Sequence, residues 1–387
     1  MGGRRRQFGA VRRLPSGRWQ ARYRDTSGGE HTAPLTFATK SDASRYLATV
    51  ETDVMRGEWI DHRLGRIAFD RWVHQWQATT VNLRPSTRAR DESYLRSLIL
   101  PAFASVPLSD IDHLSVRAWV AQLSASGRSP ATVVKAAQIL AKIMASAVDA
   151  GLITSSPCLR VPLPRIEREE MRFLTPAQVA TLADTIDDRY RAAVLVAAYA
   201  GLRAGELFGL RSARVDLLRR RLEVAEIVVE VRGALTYGPP KTRAGRRSVP
   251  LPAFVAESLN EHFIEHGVRP DGHVFTAPRG GPVRLGQWRR RVWLPALREA
   301  DLVPLRVHDL RHTAVALWIA AGATPTEIAA RAGHTSVVTV LDRYGHLLPG
   351  SEDRVTDALD GLARTAALPP SVPTPSVSPL AVRERPG

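Results

Sequence analysis

The segment from residue 308 to residue 346 places the strongest constraint on how this chain can fold. It reads HDLRHTAVALWIAAGATPTEIAARAGHTSVVTVLDRYGH. Two stretches with helical spacing flank a Gly-Ala-Thr-Pro turn, the second ends near Gly333, and a third carries the lone Tyr344. If a helix begins at His308, Arg311 lies on the same face, because residues three apart are neighbours on a helix surface. The sequence therefore predicts three short helices that gather imidazoles, a guanidinium and one phenol.

The overall charge indicates a partner of opposite sign. The chain of 387 residues carries a formal net charge of +16, and its pI is about 11.0. For a globular chain with 44% hydrophobic residues, this excess favours nucleic acid over an anionic membrane. Only four of the 54 basic residues are lysines; the rest are arginines, which bind phosphates through two parallel hydrogen bonds.

Several classes of protein are disfavoured by the same sequence. No apolar run approaches the roughly 20 residues of a membrane-spanning helix. The basic start lacks the apolar region of a signal peptide. The single Cys158 excludes an intramolecular disulfide and any multi-cysteine zinc site. We therefore expect a cytoplasmic, nucleoid-associated protein with no membrane partner.

The first predicted domain covers residues 1–62 and is strongly basic. Residues 17–25 alternate as a strand does, and 31–37 are the predicted return strand after a Gly-rich turn. A helix is expected from an N-cap at Ser41 to about Met55. The alternatives are a DNA-contacting module and a solvated basic face. The arginines expected to contact DNA here are Arg18, Arg22 and Arg24.

The middle of the chain is predicted to be a helical bundle over residues 66–153. A Pro-rich stretch, 154–172, is the predicted linker, because residues before proline avoid the helical region. The Pro/Ser/Val-rich tail, 366–387, is expected to be disordered. The helices predicted in the bundle are Phe69–Thr79, Ser86–Ile99, Ser115–Ser126 and Ala131–Ala150.

The last predicted domain covers residues 173–365 and begins at a Thr-Pro helix start at position 175. A strongly apolar helix, Tyr190–Ala200, is expected to be buried and to present Gly201-Leu202-Arg203 at its end. Lys241 lies in a turn between two predicted strands, Leu222–Val231 and Arg247–Leu251. Further helices are expected near 253–265, 287–300 and 308–321. The predicted fold is thus multidomain and mainly α with small β-sheets: a small sheet plus helix, a helical bundle and a mixed α/β domain.

The motifs in the last domain resemble those of a known family, the tyrosine recombinases or phage-type integrases. The likeness covers roughly residues 1–350, and the motifs follow the family's order. It implies an arm-type DNA-binding domain, a core-binding helical domain and a catalytic domain. The motifs that carry it are GLRAGEL at 201–207, PKT at 240–242, HDLRH at 308–312, AGH at 332–334 and RYGH at 343–346.

The resemblance implies a metal-independent enzyme that needs no cofactor and cuts DNA through a 3′-phosphotyrosyl intermediate. Tyr344 is expected to attack the scissile phosphate, after which the 5′ hydroxyl of a partner strand reverses the step. A phenol with a pKa of about 10 is a poor nucleophile, so cations or a base must activate it. Arg203 and Arg311 are expected to bind the non-bridging oxygens, where negative charge develops.

Three further side chains complete the catalytic set that the resemblance implies. Lys241 would protonate the departing 5′ oxygen, because the pKa of a lysine falls readily near other cations. His308 is expected to shuttle a proton or donate a hydrogen bond, and His334 to donate a second one. Taken singly, Lys241 could be an ordinary surface lysine, and either histidine could be a core or surface residue without a catalytic role. Their presence together indicates an active enzyme.

Neighbouring residues are expected to support this set. Glu206 follows Arg203 by three residues and could orient it or accept a hydrogen bond from a histidine. The resemblance gives His312 and His346 structural parts only. DNA backbone contacts beside Lys241 are expected from Arg243, Arg246 and Arg247.

The expected partners are double-stranded DNA recombination sites, bound by a homotetramer, with DNA-bending and excision proteins as possible accessories. The basic residues ahead of the helical domain favour integration or excision of a phage or other mobile element. A chromosome or plasmid dimer-resolving recombinase and a catalytically silent DNA-binding regulator are the alternatives. A metal site at His308 and His312 has the right helical spacing, but no clear third ligand follows it.

Overall fold

Two compact units make up the chain, Met1–Glu169 and Glu170–Gly387. Both are mainly helical with small antiparallel sheets, which confirms the predicted fold class. The predicted disordered tail, 366–387, lies outside the described residues from position 368 onward, and its first two residues end a helix. The computed structural model describes residues 8–25, 27–57, 59–61, 63–81, 83–167, 171–267, 269–347 and 351–367.

The first unit begins with a three-stranded antiparallel sheet and one helix. Alternate residues of the central strand, Ala21 and Tyr23, are buried together with Leu47 of the helix, because successive side chains of a strand point to opposite faces. The elements are β1 Ala10–Arg13, β2 Trp19–Arg24, β3 Glu30–Thr32 and α1 Lys40–Arg56, with the strands in the order β1-β2-β3.

Three details of this region differ from the sequence-based expectation. The first strand, β1, was not predicted, and the return strand ends at Thr32 rather than Phe37. The N-cap of α1 is Thr39, and the expectation of Ser41 was wrong. Thr39 has extended backbone geometry, and its hydroxyl accepts a hydrogen bond from the backbone N–H of Asp42 at 3.1 Å. This is the contact that defines a helix N-cap.

The rest of the first unit is a helical bundle. Its longest helix, α6, is apolar and long enough to cross a membrane by length and composition alone. Eight of its residues are buried in the bundle core, which is the ordinary reason for such a composition in a globular protein. The helices are α2 Phe69–Thr79, α3 Pro85–Tyr94, α4 Leu100–Phe103, α5 His113–Ala125 and α6 Pro130–Asp149.

The second unit is built around a buried helix, α8, which packs against α7, α10 and α13. Its helices are α7 Pro176–Thr185, α8 Arg191–Ala200, α9 Ala204–Leu207, α10 Ala253–His266, α11 Leu285–Trp288, α12 Leu294–Glu299, α13 Asp309–Ala320, α14 Pro325–Ala332, α15 Val338–Tyr344 and α16 Ser351–Ala367. Its strands are β4 Val215–Asp216, β5 Arg221–Val224, β6 Ile227–Val231, β7 Ala234–Gly238 and β8 Arg247–Pro250.

Among the described residues of this unit, the strands form two sheets rather than the single predicted hairpin. The predicted strand Leu222–Val231 is divided into β5 and β6, and β7 was not predicted. β5 lies between β4 and β8, whereas β6 and β7 form a separate two-stranded hairpin. Lys241 therefore follows this inserted hairpin, in the segment that leads from β7 to β8.

In the described part of the chain, two helices, one in each unit, widen to a π-helical turn just before a proline. Leu95–Ile99 precedes Pro101, and Arg289–Trp293 precedes Pro295. A proline inside a helix cannot donate its usual backbone hydrogen bond, and its ring clashes with the carbonyl four residues earlier. The wider turn relieves both problems and allows each helix to continue past its proline.

Candidate active site

Arg203 is presented by a sharp turn at the end of α8. Gly201 ends the helix with φ of 67°, and a Cβ at this position would lie 2.7 Å from the Trp318 ring. Arg203 then caps α9, where the Glu206 carboxylate accepts hydrogen bonds from its backbone N–H at 2.9 Å and its Nη1 at 2.7 Å. The Arg203 side chain remains 40% exposed, so it is fixed yet open to a ligand.

Glu206 also binds a second arginine, Arg247 of β8. Arg247 Nη2 donates to Glu206 Oε2 at 2.9 Å, and the two side chains are 6% and 2% exposed. Burial acts to raise the pKa of Glu206, but the hydrogen bond and charge of Arg247, followed by the backbone hydrogen bond and charge of Arg203, bring it below its ordinary value. Glu206 is therefore a buried carboxylate that stays ionised between two guanidinium groups.

Arg311 lies on α13 and joins two separate segments of the unit. Its Nη1 donates to the carbonyl of Gly201 at 2.7 Å, and its Nη2 donates to the carbonyl of Ala332 at the end of α14. The residue is 2% exposed. Burial, and then the positive charge of Arg203, lowers its pKa to about 9. Arg311 thus remains a cation near neutral pH and fixes the position of Arg203 relative to α14.

His334 follows the left-handed C-cap Gly333 of α14 and faces Arg311. Arg311 Nη2 donates to His334 Nε2 at 3.1 Å, so the proton of the neutral imidazole lies on Nδ1. Within the described residues, Nδ1 is buried and has no hydrogen-bond partner. Burial, followed by the charges of Arg311 and Arg203, lowers the pKa of His334 to about 4. The ring is therefore a neutral donor beside two cations.

Tyr344 is the last residue of α15, and its ring is buried against the α13–α14 pair. The residue is 1% exposed, and its hydroxyl is hydrogen-bonded to Nδ1 of His312 at 2.6 Å. Burial raises the pKa of the phenol above its ordinary value, although the charges of Arg311 and Arg343 oppose this. Burial also lowers the pKa of His312 to about 4. The pair is therefore a neutral phenol and a neutral imidazole.

His308 lies one turn before His312 and reaches the surface. The two rings are nearly perpendicular, with centroids 4.9 Å apart. Partial burial of the ring, followed by the charges of Arg311 and Arg203, lowers the pKa of His308. Among the described residues, no group of three or more His, Cys, Asp or Glu side chains is arranged to hold a metal ion.

The structure brings five of the six predicted catalytic residues together around α13, whereas Lys241 is exposed in the segment between β7 and β8. Among the described residues, we find no hydrogen bond or ion pair for Lys241. Of the arginines predicted to contact DNA, Arg243 and Arg246 are exposed, but the Arg247 side chain is only 6% exposed and is bound to Glu206. Arg247 was expected on the DNA-facing surface, but its side chain points into the protein.

The arginines predicted to contact DNA in the first unit lie on or next to β2. Arg18 donates to the Thr36 hydroxyl at 2.6 Å, and Arg22 pairs with Glu30 at 2.8 Å. Arg24 is exposed at the end of the strand. Arg22 and Arg24 occupy the face opposite to the buried Ala21 and Tyr23, so that the charged face of the sheet is the solvated one.

Two contacts of the site were not anticipated from the sequence. The hydrogen bond between His312 and Tyr344 joins residues 32 positions apart. His312 was expected to have a structural role only, and its contact with Tyr344 was not predicted. The inward orientation of Arg247 had a usable signal, because the residue alternates with the buried Val249 along β8.

Comparison with known proteins places this arrangement in a family. Three family descriptions match: "Phage integrase, N-terminal domain" over residues 7–56, "Phage integrase, N-terminal SAM-like domain" over 68–124 and "Phage integrase family" over 172–350. The putative prophage phiRv2 integrase of Mycobacterium tuberculosis is 31% identical over 368 residues, which cover 93% of this chain and 96% of that protein. The chain belongs to the phage integrase family of tyrosine recombinases. The predictions of a site-specific recombinase and of a mobile-element integrase are thereby confirmed.

Solved structures share the fold of this tyrosine recombinase. The Tn1549 transposon integrase in complex with circular intermediate DNA has a TM-score of 0.64 at 20% identity and covers 76% of this chain and 100% of that chain. A lambda integrase tetramer bound to a Holliday junction has a TM-score of 0.54 at 17% identity and covers 86% and 94% of the two chains. These similarities extend across both units of the recombinase.

Proposed function

We propose that this recombinase cuts DNA by attack of the Tyr344 hydroxyl on the scissile phosphate. A bond forms between Tyr344 Oη and phosphorus, the bond from phosphorus to the 5′ oxygen breaks, and Lys241 supplies the proton that this oxygen takes up. The phenol loses its own proton to water in the same step. Because the phosphodiester energy is kept in the phosphotyrosyl bond, religation needs neither metal nor nucleotide cofactor.

The observation that carries the proposal is that hydrogen bonds hold Arg203, Arg311 and His334 in fixed positions. Arg311 contacts the Gly201 carbonyl and His334, and Glu206 fixes Arg203. Arg203, held in place and 40% exposed before DNA arrives, is suited to bind a non-bridging oxygen of a phosphate. Arg311 is 2% exposed here, so it would have to be uncovered before it could bind the second oxygen. His308 and His334, with lowered pKa values, can serve as neutral hydrogen-bond donors to the same group.

The nucleophile is inaccessible in the arrangement described here. Tyr344 is 1% exposed, so a phosphate cannot reach its Oη while the ring remains buried. We therefore expect α15 to shift when DNA is bound. Exposure of the phenol would also remove the burial that raises its pKa, and the charges of Arg311 and Arg343 act in the lowering direction.

We further propose the domain assignment and partners that accompany this chemistry. Residues 1–62 are a basic arm-type DNA-binding domain, 66–153 a core-binding domain, 154–172 a linker and 173–365 the catalytic domain, ahead of the tail 366–387. The matched family descriptions and the charge of +16 support this division. The lambda integrase described as a tetramer on a Holliday junction supports a homotetramer on DNA for this chain. DNA-bending and excision proteins are proposed as accessory partners of that complex. The enzyme would then work at DNA sites in the cytoplasm.

The test is capture of the covalent intermediate. A nicked DNA library from the source genome is mixed separately with the wild type, Tyr344→Phe and Tyr199→Phe. Each mixture is denatured, and the DNA that remains attached to protein is sequenced. Tyr199 is a suitable control because it is a partly buried tyrosine of the same unit, in contact with the Phe254 ring. We expect attachment by the wild type and Tyr199→Phe only.

Other outcomes separate the alternatives. Attachment by Tyr344→Phe would mean that another side chain is the nucleophile. Tight DNA binding without any covalent product from the wild type would favour the catalytically silent regulator.

A further inference from the structure

We propose that Arg247 is a positioning residue of this active site: it orients Arg203 through Glu206 and joins the Lys241 segment to the end of α14. This inference rests on the proposed function, because it assigns Arg247 a part in the same cleavage step. It replaces the expectation that Arg247 contacts the DNA backbone. No contact between Arg247 and DNA is needed for the effect.

All three nitrogens of the Arg247 guanidinium are used within the protein. Nη2 and Nη1 donate to the two oxygens of Glu206 at 2.9 and 3.3 Å. Nε donates to the carbonyl of Arg331 at 2.6 Å, and Nη1 also donates to the carbonyl of Gly245 at 3.1 Å. A side chain that is 6% exposed and satisfied in this way has little left for a phosphate.

The first effect of Arg247 acts on Arg203. Glu206 holds Arg203 by two hydrogen bonds, but it does so only as a carboxylate, since a protonated carboxyl loses acceptor capacity. Arg247 is the strongest of the neighbours that keep Glu206 ionised. Without Arg247, burial would favour the neutral acid, and Arg203 would lose the partner that fixes its guanidinium.

The second effect connects two segments that carry other site residues. Arg331, whose carbonyl Arg247 binds, directly precedes Ala332, whose carbonyl Arg311 binds. On the other side, Arg247 binds Gly245, which lies close against Pro240 beside Lys241. Gly333 leaves room for this bridge, because a Cβ there would lie 3.0 Å from Arg247 Nη1 and 2.8 Å from the Ala244 carbonyl. Arg247 therefore holds the Lys241 segment next to the end of α14, which His334 follows.

Two substitutions separate these effects. Arg247→Gln removes the charge and the bridge, whereas Arg247→Lys keeps a cation near Glu206 but cannot form the forked contacts. Arg214→Gln is the matched control, since Arg214 forms an exposed ion pair with Glu223 in the same unit, both 50% exposed. The substrate is a nicked duplex of the sequence captured by the wild type, at saturating concentration in single turnover.

We expect Arg247→Gln to slow covalent complex formation about 100-fold, because small displacements of positioned groups have effects of this order. DNA affinity should change by less than about threefold, unlike the loss expected on removal of a phosphate contact. The rate deficit of Arg247→Gln should also grow as the pH is lowered and Glu206 takes up a proton. Arg247→Lys should be slower than the wild type without this added pH dependence, and Arg214→Gln should match the wild type.

A double-mutant cycle tests whether Arg247 acts through Glu206. If it does, Glu206→Gln combined with Arg247→Gln should be no slower than the slower single variant, apart from a small residual for the α14 bridge. Rate losses that multiply would overturn the proposal, as would a weakened DNA affinity with an unchanged cleavage rate.

A measurement on the DNA-free protein makes the inference testable even if the proposed chemistry fails. Hydrogen exchange should increase in Arg247→Gln within residues 201–207 and 329–335, and should not increase there in Arg214→Gln. Exchange unchanged in both segments would refute the positioning role. A wild type that forms no covalent product would instead refute the proposed function alone.

Discussion

Acid should destabilise the second unit at a pH well above that at which its carboxylates titrate. His312 and His334 have pKa values of about 4 in the folded protein, against 6.5 for an ordinary histidine. The unfolded chain therefore takes up protons at these residues before the folded one does. These two histidines do not affect stability above pH 6.5, the pKa in the unfolded chain. Stability falls as the pH drops from 6.5 towards 4, and protonation of the two histidines lowers it no further below pH 4.

The size of the effect follows from the two pKa values. Between pH 7 and pH 5, each imidazole should lower the free energy of unfolding by about 1.5 to 2 kcal/mol, and the two together by about 3 to 4 kcal/mol. Both rings are shielded from solvent: His312 is 5% exposed and His334 is partly buried. A loss of this size is a large fraction of the stability of an ordinary domain.

The assay is urea unfolding of the full chain at pH 7 and pH 5, for the wild type and for the double variant His312→Gln/His334→Gln. The double variant is expected to be less stable at pH 7, because Tyr344 and Arg311 lose their partners, but to lose about 3 kcal/mol less on acidification. His74→Gln, which removes an exposed histidine from α2, is the control for histidine removal. An equal loss on acidification in the wild type and the double variant would refute the reasoning.

Two predictions concern packing in the separate units. Gly201→Ala should lower the stability of the second unit by about 2 to 4 kcal/mol, measured by thermal unfolding. The alanine would have a left-handed backbone and a Cβ 2.7 Å from the Trp318 ring. A smaller change with full cleavage activity would mean that the Trp318 ring moves aside. Leu47→Ala should cost about 2 to 5 kcal/mol, because Leu47 is fully buried between α1 and the sheet. Proteolysis should then begin in the first unit, and cleavage in the second unit first would contradict this.

Helices with local start signals could be predicted from the sequence almost to the residue. Thr175 and Thr324 each precede a proline and are N-caps with a complete capping box in the structure. These signals act within one turn, so the sequence contains all of the physics that sets the helix start. The helix α2, Phe69–Thr79, was likewise predicted with its observed bounds.

The missed hairpin shows where local signals are weaker. β6 and β7 are joined by Arg232-Gly233, which have φ values of 50° and 79°. A two-residue turn with both φ values positive is usually marked by Asn-Gly or Asp-Gly, and an arginine in the first position conceals it. The apolar run of β5 and β6 was then interpreted as one long strand. Lys241 was therefore predicted in the turn after that strand, whereas it follows the β6–β7 hairpin.

The contacts of the candidate site depend on distances along the chain that no local pattern encodes. Arg247 and Glu206 are 41 residues apart, and His312 and Tyr344 are 32 apart. Family motifs could nominate residues for the site, because each motif is short. They could not say which imidazole would meet the phenol, since that depends on how α15 packs against α13.

The basic stretch 243–247 shows how composition and periodicity can give different answers for the same residue. As a cluster of charge, it predicted one DNA-facing surface that includes Arg243, Arg246 and Arg247. As the start of a strand, the alternation with buried Val249 turns Arg247 inward and Arg246 outward. An inward arginine must have an anion within the protein, because an unpaired buried charge is strongly destabilising. The interpretation from strand alternation thus predicts a buried carboxylate as the partner of Arg247, whereas the interpretation from charge does not. Glu206 is that carboxylate.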